Sequence, residues 1–214
     1  MTSPSVRERA RRSILERLLT HRLEPGDRVA LPPLARKLGT SVTPVREACA
    51  QLSYSGLIGY APNVGFTVTA LSVAEARVLY NTVVALEAEA VRQATPAAID
   101  LDILRTTNAA FAEASGAEAR YRLDMAFHEA LTVYYAETAV AHLLEDLKVR
   151  IYLYERAFLE QQDNAAASVA LHDRIITCLA ADDREGAIDA LRQNWLNVEP
   201  VLVAAGLNPP TPAK

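Results

Sequence analysis

Leu34-Ala-Arg-Lys-Leu-Gly-Thr-Ser-Val-Thr-Pro-Val-Arg-Glu-Ala-Cys-Ala-Gln-Leu-Ser-Tyr-Ser-Gly-Leu-Ile58 sets the architecture of this 214-residue chain. Leu34, Ala35 and Leu38 fall on one apolar face of a short helix. Gly39 is a stop that tolerates positive φ, and Thr40-Ser41 are turn and cap residues. Pro44 suits the first turn of a new helix, in which Val45, Ala48, Cys49 and Leu52 share one buried stripe. Arg46 falls off that stripe. Two short helices joined by a tight Gly-containing turn form a helix-turn-helix, whose second helix can enter a DNA major groove.

The following residues extend the unit. Leu57-Ile-Gly-Tyr60 is a short β run, Ala61-Pro-Asn-Val-Gly65 a turn, and Phe66-Thr-Val-Thr69 alternates like a returning strand. Helix, helix and hairpin make a winged helix. Upstream, Val6, Ile14, Leu15, Leu18 and Leu19 give an amphipathic helix whose other positions carry Arg7, Arg9, Arg11, Arg12 and Arg17. Arg7 and Arg11 are expected to meet DNA phosphates, against the plainer alternative of a solvated basic face. Residues 1–3 are expected to fray. Leu23-Glu-Pro-Gly-Asp-Arg28 is a turn centred on Pro25-Gly26.

Net charge is −4, which alone argues against nucleic acid, but its distribution reverses the argument. Residues 1–70 carry 10 Lys/Arg and 5 Asp/Glu, a charge of +5; the remaining 12 and 21 give residues 71–214 a charge of −9. A basic third on an acidic remainder is the footprint of a small DNA-binding module attached to a domain with another task. Composition is ordinary for a soluble protein, at 50% hydrophobic and 22% charged. No apolar run is long enough to span a bilayer and the N-terminus is charged, so a cytoplasmic protein is expected, with no membrane partner. Cys49 and Cys178 sit far apart inside apolar helical patterns and read as buried free thiols rather than a disulfide.

After Thr69 no β pattern appears. Six helical segments are expected at about 72–94, 97–115, 117–136, 138–160, 164–182 and 184–205, forming an antiparallel bundle. Ser72 with Glu75 reads as a capping box, and Pro96 and Gly116 punctuate the early segments. The domains are therefore 1–70, a winged helix-turn-helix, and 71–205, a helical domain, with a Pro-rich tail at 206–214 expected to be disordered. Asp124 and His128 are i, i+4 on one helix face, with Leu123, Phe127 and Leu131 nearby; His172 sits among Leu171, Ile175 and Ile176. A carboxylate and two imidazoles directed into a bundle core must pair, bind water or hold a metal. His21 and His142 lie outside this pattern and read as surface residues.

Two sets of residues resemble a known family. Ser41-Val-Thr-Pro-Val-Arg-Glu-Ala48, Gly56-Leu-Ile58 and Pro62-Asn-Val-Gly-Phe66 resemble the winged helix of GntR-type bacterial transcription regulators. The resemblance implies DNA contact by Ser41, Thr43, Arg46 and Gly65. Two departures stand out: Val42 and Val64 occupy positions where the family usually carries arginine. They imply either a different operator, with Val42 meeting thymine methyls, or weakened DNA binding.

Leu86-Glu87, Leu123-Asp-Met-Ala-Phe-His-Glu-Ala-Leu131, Leu171-His-Asp-Arg-Ile-Ile-Thr-Cys-Leu-Ala180, Asp183-Arg-Glu-Gly-Ala187 and Ala190-Leu-Arg-Gln-Asn194 resemble the helical FCD domain of the FadR-like branch, in its six-helix, VanR-like variant. That resemblance implies a divalent cation, zinc by default and nickel not excluded, held by Asp124, His128 and His172. Asn194 stands in the fourth position, where the family has His. An amide oxygen is a weaker ligand than imidazole, so a metal-free polar pocket is the alternative. The resemblance also implies an effector pocket including Arg150, with Tyr80 and Asn81 near the place of another family arginine, here Val83; a solvated helix face is the alternative for Arg150.

Together these resemblances imply a ligand-responsive regulator acting as a homodimer on a pseudo-palindromic operator and sensing a small organic acid. Repression relieved by ligand is the commoner sign in the family and is expected on that ground, not read from these residues. A metal-dependent hydrolase would need an acid or base beside the cation; Glu129, adjacent to His128, should project from another face. A ligand sensor that no longer binds DNA is the third reading, motivated by Val42 and Val64.

Overall fold

The computed structural model describes residues 4–69, 73–95, 97–159 and 162–197. The chain divides into two compact units, Met1–Leu71 and Ser72–Lys214.

In the first unit, α1 (Val6–Leu19) starts at Ser5, whose hydroxyl accepts from the Glu8 backbone N–H at 3.1 Å. Its inner face is Ala10, Ile14, Leu15, Leu18 and Leu19. Pro32 and Pro33 open α2 (Leu31–Lys37), where the missing N–H groups have no intrahelical role. Gly39 takes φ +61°, the left-handed turn that lets the Thr40 N–H reach the Ala35 carbonyl at 3.0 Å. Then α3 (Val42–Tyr54) buries the expected stripe of Val45, Ala48, Cys49 and Leu52 against the unit's core. Ser41 occupies the N-cap position, but its side chain makes no cap hydrogen bond, a departure from the cap role expected of it. A two-stranded antiparallel sheet, β1 (Ile58–Ala61) and β2 (Gly65–Val68), pairs Ile58 with Val68 and Ala61 with Gly65. Arg28 adds an isolated bridge to Thr67 along the outer edge of β2.

In the second unit the described helices are α4 (Val73–Gln93), α5 (Leu101–Glu113), α6 (Ala117–Leu131), α7 (Ala139–Leu159), α8 (Gln162–Ala180) and α9 (Arg184–Leu196). Helix α4 packs on α6, α7 and α9, and α5 packs on α6 and α8. Leu104, Phe111, Tyr121, Phe127, Leu131, Ile151, Tyr152 and Trp195 fill the centre. Two helix limits differ from expectation for local reasons. Asp100 caps α5, accepting from the Asp102 and Ile103 N–H groups, so this helix starts at Leu101 and not near 97. Helix α6 ends at Leu131 rather than near 136: Thr132 donates its hydroxyl to the His128 carbonyl at 2.9 Å, and the chain continues as a 3-10 turn, Val133–Tyr135. At the far end, Arg184 Nη1 donates to the Val91, Arg92 and Ala94 carbonyls at 3.2, 2.7 and 2.7 Å, closing the C-terminus of α4.

Both cysteines are free. Cys49 is buried, and burial pushes its thiol up to about 12. Cys178 is only half-buried, a correction to the fully buried thiol expected there. No helix among the described residues is long and apolar enough to cross a membrane. The Ser72 cap, Pro96 and the tail from 206 lie outside the described residues.

Candidate functional site

The strongest polar constellation lies inside the helical unit. The periodicity of α6 puts Asp124 and His128 on its buried face, and α8 brings His172 to the same point. Candidate ligand atoms of these three residues all lie within 4.8 Å of one another. His172 Nε2 stands 3.4 Å from Asp124 Oδ1, and His128 Nε2 stands 3.8 Å from Asp124 Oδ2. Both imidazoles are fully buried, and neither Nε2 has a hydrogen-bond partner.

The opposite ring nitrogens are anchored. Glu87 of α4 accepts at Oε2 from His128 Nδ1 at 2.8 Å and from Trp195 Nε1 at 2.6 Å, while Oε1 pairs with Lys148 Nζ at 2.5 Å. His172 Nδ1 is 3.0 Å from Asn108 Oδ1. The Asn108 amide is itself oriented, because its Nδ2 donates to the Val169 carbonyl at 3.2 Å and to Asp173 Oδ1 at 2.8 Å. With acceptors facing both Nδ1 atoms, a ring in its neutral form carries its hydrogen there and turns its Nε2 lone pair towards Asp124, whereas a protonated ring donates from Nε2 to that carboxylate. Phe127 stacks on His172, with ring centres 3.9 Å apart and planes 12° apart, which holds that ring in place.

Electrostatics reinforce the arrangement. Burial disfavours an ionised Glu87, but His128 and Lys148 outweigh it and hold the carboxyl down to about 2. Burial likewise opposes ionisation of Asp124, and His128 and His172 together bring it below the ordinary carboxylate range. Burial pushes His172 below the usual imidazole value, against the opposing pull of Asp124, so the neutral, ligand-competent ring is favoured. Asn194 sits beside His172, half-buried, and supports its protonated form.

The second site is a surface. On the winged helix Ser41, Thr43 and Arg46 are exposed at the start of α3, and Gly65 forms the wing turn with φ +91°. Val42 is half-buried and Val64 is 48% exposed. Arg7 projects from α1 into solvent.

Residues 6–68 match the bacterial regulatory proteins of the gntR family, and residues 78–196 match the FCD domain, more than half of the chain. The chain belongs to the GntR family, in the branch that carries an FCD domain. It is similar to YdhC of Bacillus subtilis, an HTH-type transcriptional regulator, at 25% identity over 170 residues, 77% of this chain and 76% of that protein. A regulator from the TAR-I ttuE-ttuC' intergenic region of Agrobacterium vitis is 38% identical over 78 residues, 36% of this chain and 46% of that protein. The fold matches E. coli McbR/YncC with a TM-score of 0.76 at 24% identity, covering 95% of this chain and all (100%) of that one. It also matches a GntR regulator from Rhodococcus sp. RHA1, with a TM-score of 0.75 at 20% identity, covering 93% and 98%. The relatives are transcription regulators and not hydrolases, so this GntR protein is a helix-turn-helix transcription regulator rather than an enzyme.

Within this GntR frame several expected site residues land elsewhere. Arg11 is 1% exposed and its guanidinium turns back to Glu8 at 3.5 Å, so it is part of the module's interior and not of a phosphate-facing surface. Asn81 is exposed on α4, a third of a turn away from the buried Tyr80, because adjacent helical residues point about 100° apart; it does not face the core cluster. Tyr80 does, packing on Trp195 with ring centres 6.2 Å apart. Arg150 is buried, but its guanidinium pairs with Glu75 in the first turn of α4 rather than with the imidazole cluster. Twelve residues separate Glu75 from Glu87, about 18 Å along the helix. Glu129 is exposed, as its spacing from His128 requires, and His21 and His142 are exposed too. Sequence reasoning missed Asn108, Lys148 and Trp195 altogether and gave Glu87 no role. A buried charge inside the apolar run Val83-Val-Ala-Leu-Glu-Ala88 was the signal that could have found it.

Proposed function

We propose that the helical unit of this regulator senses a small organic acid at a divalent-cation site built by Asp124, His128 and His172, with Asn194 alongside. The observation that carries it is the pair of buried, partnerless imidazole Nε2 atoms turned towards one carboxylate, while both Nδ1 atoms are fixed by acceptors. Leaving two buried nitrogens unsatisfied is expensive unless a ligand completes them. Two imidazoles and a carboxylate suit zinc, and three protein ligands leave positions open. A cation bound there would offer those positions to a carboxylate oxygen of the effector. Glu87 and Asn108 act as the supports that set ring orientation and basicity. Lys148 and Arg150, buried cations among the described side chains of α7, already face carboxylates, which favours the cation over a side-chain clamp as the acid's anchor.

In this reading the winged helix binds a pseudo-palindromic operator through Arg46, Ser41, Thr43 and the wing, and Arg7 adds a phosphate contact. A palindrome needs two recognition helices, hence a homodimer. Val78 on α4, Tyr134 on the 3-10 turn and Leu143 on α7 are exposed apolar residues on elements that pack together, and they favour this face of the helical unit as the dimer contact. The effector acts by binding one arrangement of the paired winged helices better than the other, which releases the operator.

Elemental analysis after dialysis against trace zinc tests the site. Wild type should retain about one metal per chain and His172→Ala none. Asn194→His should tighten binding by roughly ten- to a hundred-fold, the usual weight of one ligand or its support. An empty wild type together with an Asn194→His variant that gains nothing would leave a plain polar pocket and end the metal reading.

A further inference from the structure

The wing of the DNA-reading module carries no charge of its own. From Leu57 to Thr69 the sequence is Leu-Ile-Gly-Tyr-Ala-Pro-Asn-Val-Gly-Phe-Thr-Val-Thr, without a single acidic or basic residue. Its tip is largely apolar on the outside: Tyr60 is 60% exposed, and Ala61, Pro62 and Val64 are exposed with it, beside the neutral amide of Asn63. A hairpin of this composition has no cation with which to hold a phosphate, only neutral donors such as its backbone N–H groups, the Tyr60 and Thr67 hydroxyls and the Asn63 amide. The fold brings a cation to it from outside. Arg28, in the segment between α1 and α2, forms a β-bridge with Thr67. Its side chain then runs along the hairpin to the turn: a Cβ placed on Gly65 would lie 3.6 Å from both Nε and Nη2 of Arg28. Gly65 has φ +91°, so both its conformation and its lack of a side chain leave the guanidinium room beside the turn.

Arg28 is exposed, and among the described residues no carboxylate forms an ion pair with it. The adjacent acid is otherwise engaged, since Asp27 Oδ2 accepts the Glu24 backbone N–H at 2.9 Å. The arginines of α1 offer a contrast: Arg11 and Arg12 both turn to Glu8, at 3.5 and 3.0 Å. A planar, permanently charged group without an ion pair, held against an uncharged loop, suits a phosphate oxygen bidentately.

We infer that Arg28 is the phosphate-binding cation of the wing, lent to the hairpin by the α1–α2 connection. The inference rests on the winged helix binding duplex DNA, as proposed above. It assigns Arg28 a backbone contact that adds affinity and salt dependence, with base discrimination left to α3.

The test uses the purified full chain and a random-sequence DNA duplex, with affinity followed by fluorescence anisotropy across a salt series. Wild type should show a steep linear fall of log K with log salt. Arg28→Ala should reduce that slope by about 1, the weight of one neutralised phosphate, with an unchanged thermal melting midpoint. Arg28→Lys should keep the wild-type slope, since the charge is retained. Val64→Arg completes a double-mutant cycle: placed on the same loop, the new arginine should restore the slope of Arg28→Ala but add little to wild type, because one phosphate serves both. An Arg28→Ala slope equal to wild type would overturn the inference while leaving the DNA-binding reading intact. So would a Lys variant that behaves like the Ala variant, or a Val64→Arg effect of the same size in both backgrounds. A wild type without salt-dependent duplex binding would instead sink the DNA-binding reading itself, and the wing contact with it.

Discussion

The two units put their candidate functional residues in opposite places. In the winged helix, Ser41, Thr43, Arg46 and Arg28 are exposed, and the buried residues of α3 are apolar positions that merely hold the helix. In the helical unit the polar groups of interest are the buried ones: Glu87, Asn108, Asp124, His128, Lys148 and His172 are all less than a tenth exposed and come from α4, α5, α6, α7 and α8. A DNA surface works by charge that water can reach and a phosphate can replace. A ligand centre works by charge that water cannot reach, so each group must be satisfied by another. Substitutions should therefore separate cleanly: those at the exposed positions of the first unit should change binding without stability, and those at the buried polar positions of the second should change stability with binding.

The largest effect is expected at Glu87. Glu87→Ala strips the carboxylate from Lys148, His128 and Trp195 at once and leaves a buried ammonium alone, which should destabilise the helical unit by about 3–5 kcal/mol. Trp195 is the only tryptophan of the chain and touches Glu87, so its fluorescence in a urea titration reads this unit directly. A loss below about 1 kcal/mol, the scale of an exposed pair, would show that the carboxylate is not held as tightly as its surroundings require.

Arg46→Ala comes next on the other side of the comparison. It should weaken operator binding by about 1–3 kcal/mol while leaving unfolding unchanged, measured by gel-shift titration at fixed salt beside a thermal melt. Unchanged affinity would remove Arg46 from the contact set. Arg11 provides the cross-check, because it belongs to the DNA module but is buried. Arg11→Ala should lower the stability of the winged helix by about 1–3 kcal/mol with no change in salt slope, whereas Arg7→Ala should lower the slope and leave stability within about 0.5 kcal/mol. If the two arginines behave alike, the division between buried and exposed function fails within one helix.

Acid should act on the helical unit through its buried carboxylate and imidazole. The folded pKa of Glu87 is depressed to about 2, so its stabilisation is present above the unfolded carboxyl value near 4.5 and is lost as pH falls towards 2. His172 is also depressed, below 6.5, so the unfolded chain binds its proton first and stability rises with pH through that range. Metal occupancy should fall over the same interval, since protons compete for the imidazoles. Melting followed from pH 7 down to pH 3 checks this; a midpoint that stays flat across that range would contradict the buried titration.

The winged helix was legible almost residue by residue. Gly39, Pro44 and the Val45–Leu52 stripe act through neighbours three or four positions away, and such local rules are written in the sequence. In the helical unit Asp124, His128 and His172 stood out because polar residues on an apolar stripe are conspicuous. Their supports did not. Asn108 reaches His172 across 64 positions, and Trp195 reaches Glu87 across 108. The partner of Arg150, Glu75, was hidden for the same reason: a helical wheel gives a direction around one axis but not which neighbour stands there.

The sequence by itself determined that a basic winged helix precedes an acidic helical bundle and, through its motifs, which family this is; the cation at Asp124, His128 and His172 came only as what that resemblance implies. The first two follow from composition, periodicity and short motifs, all of them properties of neighbours along the chain. Only the tertiary structure decided that Glu87 and Asn108 fix the two imidazoles with their Nε2 atoms inward, that Arg11 is interior, and that Arg28 stands beside an uncharged wing. Those are contacts between distant segments, set by how helices and strands pack, and no pattern within one segment encodes the partner that packing supplies.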